Sequence, residues 1–188
     1  MTYSPTFGNT ATQADPFAHT EVHVLKVEFI MASHRVSGEL RYGGPPRRVV
    51  DMLNAIDTGY IMIYDGVVDN AARPGEGART FDAAQVRRDA IMLAIPRSDA
   101  TLTDGSFESV KKLPIQATYV VPGYDISGNM HLVAEADPVT TPILSTRHFV
   151  PITDATVTPA HDGASFKEEI VIVNLACALF YAPHTSGG

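Results

Sequence analysis

The chain has 188 residues, 45% of them hydrophobic, and its formal net charge is −7. This length suits one or two domains, and the apolar content is enough to fill two small cores. The acidic balance argues against a general nucleic-acid binder, because neutralising phosphates requires a basic face. The single cysteine, Cys177, excludes an intramolecular disulfide and a cysteine-based zinc site.

The first twenty residues are rich in Thr, Pro, Ala and Gly and show neither strand nor helix periodicity. This composition predicts an extended arm. We expect its aromatic residues Tyr3, Phe7 and Phe17 to anchor it to the chain's own barrels, to sister copies or to another subunit. The arm has neither the basic start nor the apolar stretch of a signal peptide, and no apolar run is long enough to span a membrane. We therefore expect a soluble, cytoplasmic protein without a transmembrane segment.

After the arm, the pattern predicts strands and one helix. A hairpin is followed by a stop at a Gly-Gly-Pro-Pro stretch, a short helix with helical apolar spacing, and two further strands separated by a glycine-containing loop. The predicted hairpin strands are 22–31 and 36–42, the helix is 47–56, and the later strands are 60–68 and 85–95.

The same plan returns after a polar, turn-rich linker. Strands are predicted where apolar and β-branched residues alternate or run together, while two prolines make the intervening segment 138–146 a poor helix. The predicted strands of this second unit are 115–121, 126–133, 148–157 and 170–181. The last of them is almost entirely apolar, which predicts either burial on both faces or a barrel strand shared with a neighbouring surface.

The two plans match in order and in kind of residue, which indicates an internal repeat. Gly38 and Gly128 hold the same position in the second strand of each unit, and Asp65 and Asp154 correspond in the third. We interpret the two aspartates as turn formers at strand ends. The predicted organisation is an N-terminal arm (1–20), a first β-barrel unit (21–98), a linker (99–111), a second β-barrel unit (112–184) and a tail (185–188).

Each unit resembles the Sm-like small barrel, in which a glycine within the second strand permits the bend that closure of few strands demands. An SH3-like barrel has a similar pattern. The resemblance implies a mainly β fold of two tandem Sm-like or SH3-like barrels, with a short helix in the first and an extended N-terminal arm. It also implies pairing of edge strands between barrels, giving rings or larger assemblies.

The residues with which Sm-like proteins hold uridine have no clear counterpart. Asp65 is followed by Gly-Val-Val, and the last strand carries Arg87-Arg88-Asp89 in the first copy but Asn174-Leu175-Ala176 in the second. RNA binding is therefore not carried over from the resemblance, and nucleic acid is not an expected partner.

The sequence contains no recognisable catalytic motif. The histidine spacing gives no helical metal pair, and no nucleophile elbow, phosphate loop or dinucleotide fingerprint occurs. We predict no catalytic residue, metal site or cofactor. Arg47 and Arg48, at the start of the predicted helix, could hold an anion or a partner, although a solvated turn with surface arginines is the favoured interpretation.

These observations favour a non-enzymatic structural subunit that scaffolds, tethers or caps a larger complex through strand edges and the arm. The predicted partner residues are Tyr3, Phe7, Phe17, Arg47 and Arg48, and a homo-oligomer is the leading form. Two alternatives stay open: an Sm-like RNA-binding module, favoured by the paired arginines and lysines, and an enzyme or small-ligand protein with its site between the two units.

Overall fold

The structure is a computed structural model that describes most of the chain between residues 21 and 184. The described residues are 21–45, 47–55, 58–71, 73, 75–97, 111–144, 148–161 and 163–184. The predicted arm, the predicted tail and most of the predicted linker lie outside them, as do Tyr3, Phe7 and Phe17. No helix in the described ranges is long and apolar enough to cross a membrane.

The described chain falls into two halves with the same order of elements. The first half contains β1 (Val22–Ile30), β2 (His34–Gly43), α1 (Val49–Ala55), β3 (Tyr60–Asn70), β4 (Arg79–Arg87), a 3₁₀ turn (Arg88–Ala90) and β5 (Leu93–Pro96). The second half contains β6 (Lys112–Val121), β7 (Tyr124–Val133), α2 (Thr141–Leu144), β8 (Phe149–Pro159), β9 (Phe166–Asn174), a 3₁₀ turn (Leu175–Cys177) and β10 (Phe180–Pro183).

All ten strands belong to one antiparallel sheet in the order β10-β6-β7-β8-β9-β5-β1-β2-β3-β4. The prediction of a mainly β fold is confirmed. The sheet is not closed, since its outer strands β10 and β4 do not pair with each other, and two separate closed barrels are not confirmed. A single helical turn, α2, lies in the segment where prolines made a helix improbable.

Local sequence explains the two main element types. In β1, side chains at alternate positions, Leu25, Val27 and Phe29, are buried, as expected for a strand with one face on a core. In α1 the apolar residues lie at helical spacing and are buried, among them Val49 and Leu53. The short helix predicted at 47–56 is confirmed with slightly narrower bounds.

The glycines that mark the repeat lie at a β-bulge in each half. The register between β2 and β3 shifts next to Gly38, and the register between β7 and β8 shifts next to Gly128. A side-chain carbon at Gly38 would lie 2.7 Å from the Tyr64 carbonyl oxygen, and one at Gly128 would lie 2.8 Å from that of Thr153. Glycine is therefore required where the strands bend and approach each other this closely.

Asp65 and Asp154 lie opposite these glycines, within β3 and β8. Their interpretation as turn formers at strand ends is wrong, because both strands continue well beyond them. Both have a left-handed backbone, with φ of 46° and 51°, which aspartate tolerates better than most residues. Each carboxylate pairs with the neighbouring strand: Asp65 accepts a hydrogen bond from Arg41, and Asp154 accepts one from Asn129 at 3.0 Å.

The last predicted strand of each unit is in fact two strands. The predicted strand 85–95 is divided by the 3₁₀ turn Arg88–Ala90, and the predicted strand 170–181 is divided by the turn Leu175–Cys177. The turn Leu175–Cys177 is apolar, whereas the turn Arg88–Ala90 contains the charged residues Arg88 and Asp89. The glycine-containing loop predicted between strands 60–68 and 85–95 is shorter than expected, since β3 extends to Asn70 and β4 begins at Arg79.

Two apolar cores lie along the sheet, and the halves exchange residues between them. The core of the first half includes Phe149 and Ile172, which belong to the second half. The core of the second half includes Met92 and Leu93, which belong to the first. Neither core is therefore built by one half alone.

Two tyrosines pack together in the core of the second half. The rings of Tyr119 and Tyr181 have centroids 4.8 Å apart. The Tyr119 hydroxyl contacts Met130 Sδ at 3.0 Å, and the Tyr181 hydroxyl donates to the Pro138 carbonyl oxygen at 2.6 Å. Burial raises the pKa of both phenols; that of Tyr181 rises to about 12, with the charge of Asp137 adding to the effect of burial.

Folding stability is expected to fall as the pH rises from 10.0 to about 12, the ordinary and the folded-state pKa values of Tyr181. In this window the unfolded chain has released the phenol proton while the folded chain still holds it, so rising pH favours unfolding. Urea unfolding midpoints measured against pH test this, and Tyr181→Phe should show a smaller decline. Ionisation of every tyrosine at the ordinary pKa in the folded protein, followed by tyrosinate absorbance, would contradict it.

Candidate functional site

The two halves meet at a seam, which we define as the pairing of β5 with β9 and the residues packed around it. Leu93 lies opposite Val173, and Ala94 lies opposite Ile172. All four side chains are buried. The seam thus joins two strand edges by antiparallel pairing with a dry apolar contact.

Asn174 is a buried polar residue of the seam. Its main-chain amide donates to the Met92 carbonyl oxygen at 3.0 Å, and its Nδ2 donates to the Ile91 carbonyl oxygen at 2.8 Å. Its Oδ1 accepts from the Ala176 amide at 3.0 Å, which caps the 3₁₀ turn of the second half. One side chain therefore fixes that turn against the first half.

Two further polar links cross the seam. Asn54 of α1 donates from Nδ2 to the Phe149 carbonyl oxygen at 2.8 Å and accepts from the Phe149 amide at 3.1 Å. Arg97 pairs with Glu28 of its own half at 2.8 Å and with Glu168 of the other half at 2.9 Å. These contacts fix the orientation of the halves as well as their proximity.

Replacement of Asn174 by alanine is expected to lower the free energy of unfolding by about 2 kcal/mol. The change leaves the Ile91 carbonyl and the Ala176 amide without their side-chain partner in a buried site, which typically costs about 1–3 kcal/mol. Chemical denaturation measures the loss. Asn129→Ala, which removes an exposed bond to Asp154, is the matched control and should have a much smaller effect. Equal losses would contradict the buried role.

A cavity of about 400 Å³ lies beside the seam and is lined by both halves. Its volume is within the range of small-ligand pockets. Arg87 and Arg88 line it, but Arg87 pairs with Asp89 at 3.0 Å, and Arg88 donates to the Leu53 carbonyl oxygen at 3.0 Å. Arg88 also lies over the Phe149 ring, 5.3 Å from its centroid. These guanidinium groups are already engaged by the protein.

The described site residues predicted from sequence, Arg47 and Arg48, lie in the connection before α1. The Arg47 main-chain amide donates to the Tyr42 hydroxyl at 2.9 Å. The Arg48 guanidinium donates two hydrogen bonds to Asp51, at 2.7 and 2.9 Å, and this bonding raises its pKa. A partner-binding role for either residue stays a prediction.

An enzyme would be favoured by a polar cleft that holds His131, His148 and Asp154 together, and neither the cavity beside the seam nor a second, smaller one does so. His148 lines the cavity beside the seam, whereas His131 lines a smaller one of about 180 Å³ and contacts Thr153 Oγ1 at 2.8 Å. Asp154 belongs to neither lining. Within the described ranges, no group of three or more His, Cys, Asp or Glu side chains lies close enough together to hold a metal ion.

The sheet ends in two outer strands whose second sides have no partner within the described part of the chain. We define the β10 edge as strand β10 with Leu179, and the β4 edge as strand β4 with Tyr60 of the adjoining β3. Leu179, Phe180 and Tyr60 are exposed apolar side chains. All three lie in strands that the sequence predicts, and only the strand order shows which of these strands lie outermost.

Comparisons with other proteins add no relative: no known protein family, curated protein or solved structure matches this chain. Function must therefore be inferred from the sheet, its seam and its edges.

Proposed function

We propose that this protein is a non-enzymatic structural subunit that joins a larger assembly through its strand edges and N-terminal arm. The observation that carries the proposal is an open ten-stranded sheet with exposed apolar side chains beside both outer strands. Unpaired strand edges can join chains by main-chain hydrogen bonds without special side-chain chemistry. That each half is an Sm-like or SH3-like small barrel belongs to the same proposal and is supported by the matching order of elements.

The test compares the full chain with a variant whose edges carry charge, Gln85→Lys with Phe180→Lys, because charges on edge strands oppose pairing. Both are tagged, produced in the native host and weighed by native mass spectrometry after gentle purification. We expect the wild-type chain in particles heavier than the 20.2 kDa monomer and the variant largely outside them. A wild-type chain that is monomeric both in its host and after purification would overturn the proposal.

The arm is tested separately with Tyr3, Phe7 and Phe17 all changed to serine. If the arm anchors neighbouring subunits, this variant should dissociate from the particle at a lower protein concentration than the wild type. Unchanged assembly would remove the arm from the proposal while leaving the strand edges in it.

RNA binding is a weaker candidate. The net charge of −7 opposes it, and Arg48 and Arg87 are paired with carboxylates. A fluorescence titration with U-rich RNA at about 100 mM salt tests this reading, since salt-sensitive binding is the signature of phosphate contacts. Such binding, lost when Arg87 and Arg88 are changed to glutamine, would replace the structural role with an RNA-binding one.

A ligand site beside the seam is the second candidate, favoured by the 400 Å³ cavity between the halves. The test is thermal denaturation with a library of small metabolites. A ligand that raises the melting temperature of the wild type, and does so less for His148→Ala, would support the cavity as a site.

A further inference from the structure

We propose that a second copy of this chain is the partner at both edges, and that copies pair head to tail, β10 of one against β4 of the next. This inference rests on the proposed function and names its partner. In the order of elements, β5 and β10 hold the same place in the two halves, as do β4 and β9. The β5–β9 seam is therefore an intramolecular example of the contact that β10 and β4 would form between copies.

Equivalent residues differ in exposure as this pairing requires. Aligning the halves by their strands and 3₁₀ turns gives each seam residue an equivalent at a free edge. The seam residues Met92, Leu93 and Phe149 are 3%, 0% and 1% exposed. Their equivalents are 71%, 55% and 53% exposed, and they are Leu179, Phe180 and Tyr60 in the same order. The residue type is apolar at every position, and within the described part of the chain no strand pairs with the outer sides of β10 and β4.

Large exposed apolar side chains beside an unpaired strand edge are typical of surfaces that bind proteins. In the seam, Met92 and Leu93 enter the core of the second half, and Phe149 enters the core of the first. In the intermolecular contact, Phe180 would enter the first-half core of the next copy, and Tyr60 would be covered in return. Each edge would thus cover the exposed apolar side chains of the other.

The seam also predicts the register of the contact. Leu93 lies opposite Val173, so its equivalent Phe180 should lie opposite Val86 of the next copy. A hydrogen bond joins the adjacent pair at the Met92 carbonyl oxygen, which makes Leu93 and Val173 a non-hydrogen-bonded pair with closely spaced side chains. A disulfide between positions 180 and 86 would fit this geometry.

The contact between copies should be weaker than the seam. Gln85 replaces the buried Ile172, and the ion pair of Arg97 with Glu168 is lost because Phe81 holds the position of Glu168. The seam also forms within one chain, whereas the outer contact must overcome the entropy of bringing two chains together. Association should therefore depend on protein concentration.

Because the two edges differ, the contact is heterologous, and a growing assembly keeps one unpaired edge at each of its two ends. Such contacts produce closed rings when the rotation per copy closes and open filaments when it does not. A pairing of two β10 edges has no template in the molecule, and it would stop at a dimer.

Cysteine cross-linking tests partner, polarity and register together. The background variant is Cys177→Ala, which removes the native thiol; the equivalent residue in the first half is Ala90. Val86→Cys and Phe180→Cys are introduced separately and together, and the purified chains are oxidised with copper phenanthroline. We expect the double variant to give a ladder of linked chains, the two single variants to link when mixed, and each single variant alone to remain unlinked.

Linking of Phe180→Cys to itself would overturn the polarity, and no linking in any mixture would overturn self-association by this contact. Charged substitutions provide a measurement without cysteines. Phe180→Asp and Tyr60→Asp should each weaken self-association at least about tenfold in sedimentation equilibrium, which is about 1.4 kcal/mol. Val139→Asp, at an exposed residue outside both edges, is the control and should not change it.

The proposed function can survive failure of this inference. A wild-type chain that is monomeric when purified, yet is held in a heavier native particle and lost from it by the edge-charged variant, would exclude self-pairing and retain an edge-mediated role. Circular dichroism of every variant establishes that it is folded before association is measured.

Discussion

Replacement of Phe149 by alanine should lower the free energy of unfolding by about 3–5 kcal/mol, the usual range for truncating a buried phenylalanine. Phe149 comes from the second half but is buried in the core of the first, a core that also contains Ile91 and Ala94. The guanidinium of Arg88 lies over its ring. Its removal would open a cavity at the seam, and chemical denaturation monitored by circular dichroism measures the cost.

The chain provides its own control, since Tyr60 is the equivalent of Phe149 at the β4 edge and is exposed. Tyr60→Ala should change the free energy of unfolding of the monomer by no more than about 0.5 kcal/mol. Both variants are measured at a protein concentration at which the wild type is monomeric, so that association does not contribute. Similar losses in the free energy of unfolding for the two variants would contradict the role of Phe149 in packing at the seam.

Replacement of Gly128 by valine is the second large effect, with an expected loss of at least about 3 kcal/mol. The first side-chain carbon alone would lie 2.7 Å from Ile152 Cγ2 and 2.8 Å from the Thr153 carbonyl oxygen. Overpacking a core typically costs about 1–3 kcal/mol, and more where the main chain must move. Here one of the opposing atoms is main chain, so the bulge itself has to rearrange. Thermal and chemical unfolding both report the loss.

Gly59→Val is the matched substitution for this second prediction. A side-chain carbon at Gly59 would meet no heavy atom within 4 Å. The same chemical change should therefore have little effect on stability there. If Gly128→Val were as stable as Gly59→Val, the close approach of β7 and β8 would not be a constraint on the fold.

Much of the local structure can be read from the sequence. Alternating apolar residues define the strands, helical spacing defines α1, and Gly38 and Gly128 mark the bent positions, because each of these signals depends on neighbours in the chain. Asp65 and Asp154 do not form turns as predicted, because aspartate with a left-handed backbone occurs in turns and in bulges alike. Only the continuation of β3 and β8 beyond these aspartates distinguishes a bulge from a turn.

The pairing of β5 with β9 could not be predicted in this way. Leu93 and Val173 are far apart in sequence and meet only because the halves pack against each other. The continuous apolar run through the second 3₁₀ turn indicates burial, but it does not show that a strand leaves one core and enters the next. This is why one predicted strand in each unit became two.

The candidate surfaces were harder to predict than the fold. Arg47 and Arg48 are predicted partner residues because they are charged and lie at a helix start, and both of these properties follow from local sequence. Leu179, Phe180 and Tyr60 resemble ordinary strand residues, and their exposure depends on which strands end the sheet. Once the strand order is known, equivalent residues of the two halves can be compared, and those buried at the seam are exposed at the outer edges.

The seam also sets a parity rule. Each chain carries one first half and one second half, joined in a fixed order. In any closed ring of such chains, first and second halves therefore alternate, and the total number of halves is even. Its rotational symmetry equals the number of chains, half the number of repeats. Intact chains of this architecture therefore cannot form a ring with an odd number of repeats.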